Sequence, residues 1–265
     1  MAKKPQKTFG IRNRMDRKIS VILIFLLFCN LAKTQENVTT LGIQFKPMIT
    51  SKFFGTTAES IQNGDLSLDF NPKFGINFGM IIRKGLTKNW SLETGINLVQ
   101  RNYSIQFNHP ILDKPETLNF RFIGYEIPLQ GMIYVRLGKN LFMNASGGFS
   151  IDLYPTDVES QSDARRDTLR FDFYQTTYKN RWVQFSVLAN YGFEYRSKES
   201  GYFYFGATFH RPFSDIARTA ARFDLNTYPT RVEFPISGSY LTVDFRYFFP
   251  EDPERKKAKS KKTPK

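Results

Sequence analysis

Residues Lys73–Arg101 read KFGINFGMIIRKGLTKNWSLETGINLVQR, and this stretch decides the fold. Phe74, Ile76, Phe78, Met80 and Ile82 occupy every second position, with Lys73, Gly75, Asn77, Gly79 and Arg83 between them and Ile81 the apolar exception. A polar turn, 84–89, follows. Alternation then resumes with Trp90, Leu92, Thr94, Ile96 and Leu98 on one face and Ser91, Glu93, Gly95, Asn97 and Arg101 on the other, Val99 being the exception. A period of two is the signature of a strand, and two such runs joined by a tight turn predict an antiparallel hairpin. One face of the hairpin is fit for hydrocarbon, and the other carries charge, amide and glycine.

The pattern recurs along the chain. Eight strand-like runs are predicted from Thr40 onward: Leu41–Ile49, the two runs of the hairpin, Arg121–Arg136, Leu141–Leu153, Trp182–Tyr195, Tyr202–Arg211 and Ile236–Phe249. The links between them alternate in length. Those at 84–89, 137–140 and 196–201 are short, and those at about 50–71, 104–119, 154–180 and 212–235 are long. Short turns at one end and long loops at the other are the arrangement of outer-membrane barrels. The sequence therefore predicts an all-β chain forming an eight-stranded antiparallel transmembrane β-barrel, with short periplasmic turns, long extracellular loops and both termini periplasmic. Trp90, Tyr195, Tyr202 and Tyr247 lie beside the short turns, where an interfacial aromatic girdle would sit.

The composition fits this reading. Mean hydropathy is −0.40, and no run approaches the roughly 20 apolar residues of a spanning helix. Barrels escape that test because only alternate residues meet lipid. The net charge of +14 lies mostly in the tails: residues 1–34 carry +7, residues 250–265 carry +4 and the long middle +3. This argues against a nucleic-acid surface on the folded part. Residues 1–34 read as a signal peptide, with the apolar run Ile19–Phe28 as its core and Met15 opening a more compact version. Cys29, the single cysteine, lies in that leader and raises a lipoprotein reading, against which Phe28 stands where a small residue is wanted. Residues 35–249 form the barrel, and 250–265 form a basic periplasmic tail too charged to bury apolar surface. With His109 and His210 as the two histidines, a zinc cluster is not expected, and no cofactor is assigned.

The chemistry-bearing residues fall into two groups. Glu93, Arg101, Glu126, Arg136, Glu194 and Arg246 share the inward parity and form a candidate polar network in the lumen, where unpaired buried charge is costly. Arg165, Arg166, Arg170, Phe171, Phe173 and Tyr174 give the third long loop the mixed Arg and aromatic content of a partner surface, with loop self-packing the competing reading. His210, with Ser214 and Asp215 nearby, is the one grouping resembling a catalytic site, but its parity points inward or to a loop base. Pro128, also on the inward parity, removes a ladder donor and predicts a bulge or a local break.

Tyr125-Glu126-Ile127-Pro128-Leu129 resembles the "EIPL" strand of the PorT-like outer-membrane β-barrel family of Bacteroidota, and Gly85–Asn102 is similar to the same family. The resemblance spans roughly residues 40–249. The alternating Leu241-x-Val243-x-Phe245-x-Tyr247-x-Phe249 is similar to the aromatic-ended last strand read by outer-membrane assembly machinery, although this chain continues past Phe249. The resemblance implies an eight-stranded barrel and, in some members, a part in type IX secretion and gliding. The function expected is a non-catalytic scaffold, accessory or binding component in contact with outer-membrane lipid and envelope protein partners. A small-solute channel, a lipid-modifying enzyme and a soluble lipocalin-like carrier are the alternatives.

Overall fold

The computed structural model describes residues 39–250 apart from 50–58, 64–65, 88, 109–114, 163–164, 167–168, 171, 198 and 226–227. The leader with Met15 and Cys29, the tail beyond Pro250, His109 and Phe171 lie outside the described residues. The described chain is all strand: β1 (Thr39–Ile49), β2 (Glu59–Asn63), β3 (Leu66–Gly85), β4 (Trp90–Asn108), β5 (Glu116–Arg136), β6 (Leu141–Leu153), β7 (Val158–Ser162), β8 (Arg165–Arg166), β9 (Leu169–Arg170), β10 (Asp172–Lys179), β11 (Val183–Ser197), β12 (Gly201–Pro212), β13 (Ala217–Leu225), β14 (Tyr228–Ile236) and β15 (Tyr240–Phe248). Eight of them close a barrel in the order β1-β15-β12-β11-β6-β5-β4-β3, with β3 returning to β1 and every pair antiparallel. Both ends of the barrel meet at the short-turn end, where Thr39 faces Lys84 and Phe249 N–H donates to the Leu41 carbonyl at 2.8 Å.

The apolar parity faces outward. Phe78, Leu129, Phe149, Phe185, Tyr191 and Phe205 are each more than half exposed, while Gln44, Asn97, Gln130, Asn190 and Asp244 on the opposite parity are buried. Such an exterior is stable only against hydrocarbon, which excludes the lipocalin-like arrangement with its apolar residues inside. Placing a guanidinium in this band is accordingly costly. Phe205→Arg is expected to lower unfolding free energy by about 2–4 kcal/mol. Gln161→Arg, on an exposed position of β7, is expected to change it by less than about 0.5 kcal/mol. Urea titration of refolding into lipid bilayers measures both.

Three strands are much longer than the sequence pattern suggested. β3, β4 and β5 have 20, 19 and 21 residues. At about 3.4 Å per residue they rise well above their neighbours. Along each of them the chemistry of the two faces inverts. Low on β4 the inward residues are Glu93 and Asn97 and the outward ones Leu92 and Ile96. High on β4 the inward residues are Tyr103, Ile105 and Phe107 and the outward ones Asn102, Gln106 and Asn108. β5 inverts in the same way, from Leu118, Phe120 and Phe122 inside to Glu126 and Gln130 inside, with no change of parity. The lower half is built for lipid outside, the upper half for water outside. In β3 the inversion coincides with a bulge: Lys73 faces Asn102 but Ile76 faces Gln100. The extra residue moves inward-facing side chains from the even parity (Leu68, Phe70) to the odd (Asn77, Ile81, Arg83).

The four long connections contain further structure. β2 extends the β3 edge, and β7, β10, β13 and β14 form a second sheet in the order β14-β13-β10-β7. This sheet leans on the tall wall and encloses an apolar core containing Leu68, Phe70, Tyr103, Ile105, Phe107, Phe120, Phe173, Ile216, Phe234 and Ile236. Phe234 stacks on Phe70 at 5.4 Å, and Phe70 on Tyr103 at 5.3 Å. The core forms a dome over the long-loop end of the lumen. Gly238, at φ +70°, turns the chain from the dome into β15, and a Cβ there would lie 2.6 Å from Ile216 Cγ2.

Pro128 interrupts rather than bulges its strand. The β4–β5 ladder skips Gly95 and Ile96 opposite it, yet the register is the same on either side. The β5–β6 pairing runs through it, Pro128 facing Ser150.

Candidate functional site: the enclosed polar lumen

Inward parity collects the ionisable residues into two connected layers. Near the short-turn end, Arg83 Nε donates to Glu93 Oε1 at 2.6 Å and its Nη1 to Glu194 Oε2 at 2.5 Å. Arg246 Nη1 donates to Glu93 Oε2 at 2.8 Å and Nη2 to Asp244 Oδ2 at 2.7 Å. Arg196, at the mouth, closes the chain on Glu194 at 2.6 Å. Asp244 also accepts from Thr208, Thr242 and Asn190, and Lys46 Nζ lies 4.0 Å away. Arg83 stacks its guanidinium 3.8 Å from the Phe248 ring centroid. Every acid of this layer has a cationic partner, which is the condition under which buried charge is tolerated.

The layer nearer the dome is built differently. Glu126 on β5, Asp152 on β6 and His210 on β12 converge, all buried. His210 Nε2 lies 3.0 Å from Asp152 Oδ2 and 3.6 Å from Glu126 Oε2. Neutral donors fix the carboxylates: Asn97 and Tyr240 donate to Glu126 at 2.8 and 2.5 Å, and Ser150 and Ser186 donate to Asp152. The His210 ring stacks on Tyr240 at 4.3 Å. Arg101 lies over Tyr240 and Tyr154, its Nη2 donating to the Gly238 carbonyl at 3.4 Å.

The lumen holds five of the six residues singled out there by the sequence: Glu93, Arg101, Glu126, Glu194 and Arg246. Arg136 is a correction. It is exposed at the turn after β5 and donates to the Gly138 and Lys139 carbonyls. As the last residue of its strand it has no lumen left to point into. Lys46, Arg83, Asp152 and Asp244 complete the network, and each shares the inward parity that would have found it. His210 is inward, but its partners are Asp152, Glu126 and Tyr240 rather than Ser214 and Asp215. Ser150 Oγ, at 3.5 Å, and Asp152 approach the same ring nitrogen, and Nδ1 has no partner. A relay needs the acid and the hydroxyl on opposite nitrogens.

In the third loop Phe173 is a second correction: it is fully buried in the dome against Phe107. Tyr174, its neighbour on β10, is half-buried on the other face. Arg165, Arg166 and Arg170 lie in the small β8–β9 pair. Tyr202 also leaves the girdle, packing inward against the cluster of Ile81, Tyr204 and Phe248, whereas Trp90 and Tyr195 are half exposed on the outside.

The family model for the outer membrane protein beta-barrel domain matches residues 39–218. The chain belongs to this family. It is therefore an outer-membrane β-barrel protein, and the outward phenylalanines are its lipid-facing surface. No curated protein matches the chain in sequence. Solved structures similar to this outer-membrane barrel include the outer membrane protein OprG from Pseudomonas aeruginosa, at 12% identity and a TM-score of 0.46, covering 82% of this chain and 98% of that one. The outer membrane protease OmpT from Escherichia coli is similar at 11% identity and a TM-score of 0.27, with 82% and 98% covered. The beta domain of the Bordetella autotransporter BrkA follows at 9% and 0.23, with 80% and 98% covered.

Proposed function

We propose that this barrel is a non-catalytic outer-membrane anchor that presents its long-loop end to an envelope protein partner. The observation that carries the reading is the double closure of the lumen, by ion pairs across its lower part and by the apolar dome above. Eight strands leave an interior just wide enough for side chains to fill, and here arginines and carboxylates fill it. The cluster around His210 is buried on the face turned away from lipid, which speaks against a lipid-modifying enzyme. The short-turn end and both termini face the periplasm in this reading, and the dome faces outward.

The partner surface is the solvent face of the second sheet rather than the loop tip alone. Tyr174 on β10 stands opposite Arg222 on β13, and Arg222 opposite Arg231 on β14. Tyr178 stands opposite Arg218, and both are exposed. Tyr and Arg are the residues most favoured as interface anchors. The PorT-like resemblance of the β5 strand, and through it Bacteroidota as the source, makes type IX secretion components the expected partners.

Two measurements test the reading. Reconstituted in planar bilayers, the protein is expected to give no stable conductance, and a reproducible, solute-dependent channel would replace the anchor with a pore. Affinity isolation from solubilised outer membrane is expected to recover a defined envelope protein, with recovery reduced at least tenfold by Tyr178→Ala combined with Arg218→Ala. Isolation as a lone monomer, unchanged by that substitution, would count against a partner at this face.

A further inference from the structure

We propose that Glu126, Asp152 and His210 form a binding site for one divalent first-row metal ion inside the barrel. Their ligand atoms, Glu126 Oε2, Asp152 Oδ2 and His210 Nε2, all lie within 4.8 Å of one another. Two of the separations are 3.0 and 3.6 Å. Ligands about 2.0–2.2 Å from a shared zinc ion stand roughly this far apart, so small side-chain movements complete the geometry. One imidazole nitrogen with two carboxylate oxygens is a donor set for zinc, manganese or ferrous iron.

The electrostatics separate this triad from the rest of the lumen. Glu93, Glu194 and Asp244 each carry an ion pair to arginine. Glu126 and Asp152 have no ion pair to lysine or arginine among the described residues, and their basic contact is His210. Two buried carboxylates side by side repel one another, and a shared proton or a bound cation relieves that repulsion. The surroundings are those of metal ligands. Ser150, Ser186, Asn97 and Tyr240 hold both carboxylates in orientation through neutral donors, as outer-shell groups do. One step further out, two buried amide oxygens, Gln44 Oε1 and Asn77 Oδ1, have no hydrogen-bond partner, although their amide groups donate to Asn97 and to Tyr240. The layer thus has spare oxygen acceptors, and its arginine, Arg101, lies over Tyr240 and Tyr154 without an ion pair to either carboxylate among the described residues. A metal here would tie β5 and β6 to β12 across the lumen, held by three protein ligands with a further position left for water.

Zinc is the probe. The full-length protein, purified in detergent and stripped with chelator, is titrated with zinc alone, and its heat-modifiable gel migration reports folding. The expected result is one zinc bound per folded chain, a higher temperature for the heat-induced gel shift, and at least tenfold weaker binding in both Asp152→Asn and His210→Gln. No zinc bound by the folded wild-type chain, or binding unchanged in both variants, would overturn the site and leave the triad a hydrogen-bonded cluster of one imidazole and two acids. Should the variants fail to fold, zinc X-ray absorption on the wild type decides. A shell of one imidazole with oxygen ligands supports the site, and two imidazoles or a sulfur ligand would place the metal elsewhere.

Discussion

Replacing Glu93 by alanine is expected to destabilise the barrel by about 3–5 kcal/mol, the cost of removing one partner from a buried ion pair. Glu93 is 2% exposed and accepts from two guanidiniums, Arg83 and Arg246. Its removal leaves both arginines buried, Arg83 relying on Glu194 and Arg246 on Asp244. The cost comes from stranded charge rather than from lost packing, and this has a consequence. Glu93→Gln combined with Arg246→Met is expected to be less destabilised than Glu93→Ala alone, because the second change removes a cation that the first left under-compensated. Arg136→Ala is the contrasting case. Exposed and bonded to turn carbonyls, Arg136 is expected to matter by less than about 0.5 kcal/mol. Urea-induced unfolding from lipid vesicles measures all three. Equal losses for Glu93→Ala and Arg136→Ala would mean that the ion-pair network does not hold the barrel together.

The contrast between Glu93 and Arg136 also shows how far the sequence carries. Parity assigns a residue to a face, and along the membrane-spanning parts of the hairpin and of the five strands after it the exposed and buried sets follow that assignment. Parity says nothing of height, so it places Arg136, on the right face but at the strand end, in a lumen that the residue does not reach. Height becomes legible when the chemistry of the faces inverts, as between Arg101 and Tyr103 on β4. There the pattern apolar-out, polar-in gives way to its opposite while the strand continues. A search for lipid-facing alternation ends at that point, and the upper parts of β3, β4 and β5 therefore read as loop. In β3 the bulge at Lys73–Ile76 adds a change of parity and hides the continuation further. Phe173 reads as a partner anchor for a related reason: an aromatic beside arginines suggests a contact surface until its alternation with Tyr174 is given a core to face. The convergence of Glu126, Asp152 and His210 was not legible at all. Each inward assignment was available, but that β12 returns to the height of the β5–β6 pair is a matter of register and closure, which the sequence does not display.

The inversion of faces also implies that the molecule has two cores holding different things together, and Phe234→Ala separates them. Phe234 is fully buried and stacks on Phe70. Truncating a buried phenylalanine costs about 3–5 kcal/mol through lost burial and the cavity left behind. That loss falls where the second sheet meets the tall wall, since Phe234 belongs to the apolar cluster and stacks on Phe70 high on β3. The expected result is therefore local. Protease is expected to cut within 217–236 in the variant and not in the wild type, while the heat-modifiable migration of the barrel is retained, as for a sub-global opening of a weaker unit. A matching fall in the thermal midpoint of the whole barrel would instead make the dome and the barrel one cooperative structure. The same variant tells which closure seals the lumen. If bilayer conductance appears once the dome is loosened, the apolar cap is the gate-keeping layer. If the membrane stays tight, the arginine–carboxylate chain from Arg196 through Glu194, Arg83, Glu93 and Arg246 to Asp244 is sufficient by itself, and the dome's role is to shape the face that a partner meets.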